Sequence, residues 1–109
     1  MKDCPGKFEL IVTIVEWGFS EEVVEASKAA GAEGGTIIRG RGTGIHENIK
    51  LFGLNIEPEK EIVLTLVKAE QTEKILSAIV EAVELEKPHR GIAFVLDVER
   101  AVGICHLTK

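Results

Sequence analysis

Tyrosine is absent from this chain of 109 residues, and its aromatics are four phenylalanines and one tryptophan. That leaves little surface for base stacking and argues against a single-stranded nucleic-acid binder. A net charge of −5 points the same way, because a nucleic-acid protein would carry a basic patch or stripe. No apolar run approaches the ~20 residues that a helix needs to cross a bilayer, so no membrane-embedded segment is expected. Met1–Lys7 contains no apolar signal core, and the run that follows is interrupted by Glu9 and Thr13, so the chain reads as cytoplasmic. Cysteine is limited to Cys4 and Cys105, with no Cys-x-x-Cys spacing. In that compartment both are expected as reduced thiols; a staple between the termini is the alternative.

Metal and catalytic signatures are equally thin. His46 adjoins Glu47 and Cys105 adjoins His106, but neighbours on a strand face opposite ways and make neither a clamp nor a nucleophile–base pair. No catalytic residue and no metal ligand is assigned. An enzyme is not expected.

Glycine, by contrast, is concentrated. Six of eleven glycines lie between Gly31 and Gly44, with Arg39 and Arg41 threaded among them. Such backbone can turn sharply or approach a ligand closely. Arg39 and Arg41 are two apart, so in extended backbone they point to the same side. With Gly40, Gly42 and Thr43, and with Lys87, His89, Arg90 and Gly91 further on, they are the candidate anion site: guanidinium forks and turn amides both suit phosphate. No Walker-type or strand–GxGxxG–helix signature accompanies them.

The hydrophobic pattern predicts one domain, residues 1–109. Strands are expected at Phe8–Glu16, Gly35–Arg41, Glu61–Lys68 and Ile92–Leu96. A helix capped by Ser20 runs to Ala30 with Val23, Ala26 and Ala30 inward, and one capped by Thr72 buries Ile75, Ile79 and Val83. Asp97–Val102 is expected as one helical turn and Gly103–Leu107 as a short edge strand. Thr43–Glu59 is a long loop in which Ile45, Ile49 and Phe52 fall at near-helical spacing. Two readings of it stand: a partner-docking element carried by Ile45, His46, Ile49 and Phe52, or, for Phe52–Ile56, an extension of the third strand.

The order β-α-β-β-α-β with right-handed crossovers gives an α+β, ferredoxin-like fold: a four-stranded antiparallel sheet with both helices on one face. Strands one and three are apolar on both faces, with Leu10, Val12 and Ile14 against Ile11 and Val15, and Ile62, Leu64 and Leu66 against Val63 and Val67. An antiparallel sheet facing water would alternate. The uncovered face therefore predicts a homo-oligomer.

Phe8–Val15, the Ser20–Ala30 helix, Gly35–Gly42, Glu61–Val67 and above all Gly91–Val102 resemble the PII signalling proteins of nitrogen and carbon metabolism, over nearly the whole chain. The resemblance implies a homotrimer with the sheets at its centre. It implies intersubunit clefts that take an adenine nucleotide (ATP, ADP or AMP) or another anionic effector, here with Arg39, Arg41, His89 and Arg90. It also implies a T-loop, here 43–59, that regulates a partner such as a transporter or metabolic enzyme. The chain departs from the family pattern as well. Glu84–Gly91 replaces a glycine-rich phosphate loop, Ile92 stands at its lysine, and Gly103 and Cys105 stand at two phosphate-gripping arginines. The T-loop glutamine position falls at or beside Gly44, and without tyrosine the uridylylation switch of some members is impossible. The competing expectation is a nucleotide-independent or metal-binding trimeric interaction module resembling the cation-tolerance proteins.

Overall fold

β-Branched residues crowd the two stretches that take the centre of the sheet, β1 (Phe8–Glu16) and β5 (Glu59–Lys68). Around them run α1 (Ser20–Ala29), β2 (Thr36–Arg41), β3 (Ile49–Leu51), β4 (Leu54–Ile56), α2 (Thr72–Ala82) and β6 (Gly91–Val98). The computed structural model describes residues 1–43, 49–51, 54–56 and 58–105. Its four-stranded sheet has the order β2-β5-β1-β6 with every pair antiparallel, the interleaved ferredoxin-like arrangement.

The side-chain alternation of the central strands decides where the core lies. Ile11 and Val15 of β1 and Val63 and Val67 of β5 join Val23 of α1 and Ile75, Ile79 and Val83 of and beyond α2 in one buried cluster. Each such aliphatic side chain contributes about 1.5–3 kcal/mol on leaving water. α1 buries Ser27 rather than Ala26, and the Ser27 hydroxyl is satisfied by donating to the Val24 carbonyl at 2.8 Å.

The opposite face has no helix. Register places Leu96, Leu10 and Leu66 in one row, Phe94, Val12 and Leu64 in the next, and Ile92, Ile14, Ile62 and Ile38 in a third. Ile92, Leu96 and Ile38 are 54%, 49% and 45% exposed, a contiguous apolar surface of the kind monomeric proteins rarely leave to water.

Five expectations are corrected. Ser20 and Thr72 are the first residues of their helices rather than caps; Phe19 and Gln71 hold the cap positions and neither makes a side-chain cap bond. The Thr72 hydroxyl instead donates to Glu9 at 2.6 Å and ties α2 to β1. Asp97–Val102 is no helical turn, since β6 continues to Val98, where it pairs with Phe8. Residues 103–105 form no strand, and His106 and Leu107 lie outside the described residues. Leu54–Ile56 does not extend β5 but pairs with Ile49–Leu51 in a separate two-stranded sheet. Finally, Cys4 and Cys105 are joined in a disulfide with Cα atoms 4.8 Å apart. The fold brings the chain ends together there: the Cys4 N–H donates to the Ala101 carbonyl at 2.7 Å, and Arg100 grips Asp3 with two bonds of 2.9 and 3.0 Å.

Candidate functional site

A buried carboxylate fixes the turn beside the site. Glu61, 7% exposed on β5, accepts the Gly18 N–H at 2.7 Å and the Ser20 N–H at 3.3 Å through the same oxygen. It thereby supplies the side-chain acceptor that the start of α1 lacks, and adds to the charge that Glu21 and Glu22 already place in its first turn. Burial works against its ionisation, but the hydrogen bonds from Gly18 and Ser20 and the charge of Arg39 outweigh it and hold the carboxyl below its usual value. Gly18, with φ of 101°, makes the bend that glycine alone adopts readily. The Trp17 N–H completes the strap by donating to the Glu59 carbonyl at 3.3 Å.

This strapped turn presents Trp17, 56% exposed, beside the β2 edge. Arg39 is the register partner of Glu61, and its guanidinium lies 5.7 Å from the centre of the Trp17 ring. Arg41, the partner of Glu59, follows. Trp17, Arg39, Gly40, Arg41, Glu59 and Lys60 line one open cleft. At its edge the Gly42 N–H donates to the Pro58 carbonyl at 3.2 Å and closes the neck of the 43–59 segment. Thr43 is exposed at that neck. Within the segment Ile49 falls in β3, whereas Ile45, His46 and Phe52 lie outside the described residues.

The second half of the predicted anion group stands elsewhere. Lys87, His89 and Arg90 connect α2 to β6, which Gly91 opens, on the sheet edge opposite β2, so a single chain does not unite them with Arg39 and Arg41. Arg90 donates from Nε to the Val83 carbonyl at 3.1 Å, satisfying the end of α2, and stacks 4.8 Å above the Phe19 ring. Lys87 pairs with Glu84 at 2.8 Å on the surface, and that hydrogen bond lowers the Glu84 carboxyl below its usual value. His89 takes left-handed backbone, φ 66°. Gly91 is demanded by packing: at φ 138°, an added Cβ would lie 2.4 Å from the Ile14 carbonyl oxygen.

Sequence reading missed Trp17, Glu61, Glu59 and Lys60. The glutamates and the lysine carried no local signal, since their roles depend on a turn some forty residues upstream. The lone tryptophan flanked by glycine was the one available cue. Among the described residues no group of three His, Cys, Asp or Glu side chains could hold a metal. Cys105 is in the disulfide, and His46, Glu47 and His106 lie outside the described residues.

Comparison with known proteins supports one family. Residues 8–106 match the family model described as nitrogen regulatory protein P-II. A search of curated proteins found no sequence match. Among solved structures, Arabidopsis thaliana PII bound to citrate superposes with a TM-score of 0.72 at 25% identity, covering 91% of this chain and 84% of that one.

Proposed function

Because the chain belongs to the nitrogen regulatory protein P-II family, we propose that it is a PII-like signalling protein that senses an anionic metabolite at its loop-base cleft. The observation that carries this is the meeting of Arg39, Arg41 and Lys60 in one cleft at the neck of the 43–59 segment. Candidate effectors are ATP, ADP, AMP or a polycarboxylate; the citrate bound by the Arabidopsis relative supports the anionic class. In this reading three copies bury their apolar sheet faces together. Lys87, His89, Arg90 and Gly91 of one copy then approach the β2 edge of the next and complete the cleft. The segment 43–59 acts as a T-loop whose Ile45, His46, Ile49 and Phe52 contact a transporter or metabolic enzyme of nitrogen or carbon metabolism. The protein regulates rather than catalyses.

An effector can shift the segment only by the difference in its affinity for the two loop arrangements. Arg41 stands between cleft and neck, so it is the residue to remove. Calorimetric titration of the wild type with ATP, ADP, AMP and citrate should reveal a bound anion. Arg41→Ala should weaken that binding by about tenfold or more, the order expected for a charged hydrogen bond, with the oligomer intact. Unchanged affinity in the variant would remove Arg41 from the site.

A further inference from the structure

Trp17 is the chain's sole tryptophan, and it spends little of its ring on the core, being 56% exposed. Its backbone is nonetheless fixed, by its own bond to Glu59 and by the bond of Gly18 to the buried Glu61. A large aromatic held rigidly at a cleft wall, with a guanidinium 5.7 Å from its centre, is placed to act on that guanidinium. Arginine stacks on an aromatic face through its delocalised plane while its N–H edge stays available to an anion. A side chain already held in its binding rotamer loses less entropy when the ligand arrives. Glu61, the cross-strand neighbour, does not fully occupy Arg39, because one of its oxygens already serves Gly18 and Ser20. On the cleft lining, Arg39 and Arg41 outnumber the single carboxylate of Glu59.

We propose that Trp17 is a positioning residue: its indole face holds Arg39 so that Arg39 and Arg41 together grip a metabolite bearing at least two anionic groups, carboxylate or phosphate. The inference deepens the anion-sensing reading and rests on it. It assigns to the aromatic turn, rather than to a glycine-rich phosphate loop, the task of ordering the cleft. Lysine at position 39 cannot substitute, because an ammonium has no plane to stack and no fork to present.

Citrate and ATP serve as the two probes, one for each anion chemistry, read by calorimetry and by the emission of Trp17 itself. In the wild type at least one of them binds and shifts the emission. Trp17→Ala weakens that binding about fivefold, the upper end for loss of a cation–π contact at an exposed site, whereas Trp17→Phe stays within about twofold. Arg39→Lys behaves like Arg39→Ala. In the Arg39→Ala background, Trp17→Ala has no further effect, which a merely structural tryptophan would not show. The inference is overturned if Trp17→Ala binds as the wild type does, or if the two losses simply add. If neither probe binds the wild type, the anion-sensing reading falls first and this inference with it.

Discussion

Glu61 lies on a central strand yet serves a helix that begins forty-one residues earlier in the chain, at Ser20. Its depressed carboxyl pKa couples that service to pH. A carboxyl held below its unfolded value stabilises the fold above the ordinary range near ~4.3, and the contribution disappears as pH falls through the lower folded value. Glu61→Gln should therefore lower stability at neutral pH while making the acid limb of unfolding shallower than in the wild type. Circular dichroism melts at steps from neutral pH into the acid range check this. Parallel acid limbs in the two proteins would remove the linkage. The same residue shows why part of the site was hidden from sequence reading. Arg39 and Arg41 were legible because strand alternation places them on one side, but a carboxylate acting across the fold leaves no periodic mark.

At the level of elements, the strongest local patterns were the ones the structure kept. β1 occupies Phe8–Glu16 as expected, and the Ile75, Ile79 and Val83 stripe is fully buried. The segments read wrongly are those whose conformation is set by distant partners. β6 runs on to Val98 because β1 is there to pair with it, and the chain after it is drawn to the N-terminus by Asp3 and Cys4. The near-helical spacing of Ile45, Ile49 and Phe52 likewise gave way, at Ile49, to pairing between β3 and β4. The terminal clasp carries its own consequence. A cross-link spanning 101 residues restricts the unfolded chain strongly, and removing one of this kind typically costs about 2–4 kcal/mol. Cys105→Ser, or the wild type kept in a reducing agent, should therefore unfold at lower denaturant than the oxidised protein. Coincident transitions in oxidised and reduced samples would show that the clasp contributes nothing.

For the whole molecule, the decisive feature is the face that the helices leave bare. Three apolar rows cross all four strands or three of them, and Phe94, 40% exposed on the edge strand β6, belongs to the middle row. Interior residues of an interface resemble a domain core and exclude charge, and these rows contain no charged side chain. The proposed sensing cleft depends on the same surface, because in that proposal Arg90 and His89 are supplied to the β2 edge by another copy. Sedimentation velocity at micromolar concentration tests this directly. The account predicts a folded species with three times the 11.9 kDa mass of the chain, lost when Phe94→Glu places a charge in the central row. A wild-type protein that sediments as a stable, folded single chain would contradict it.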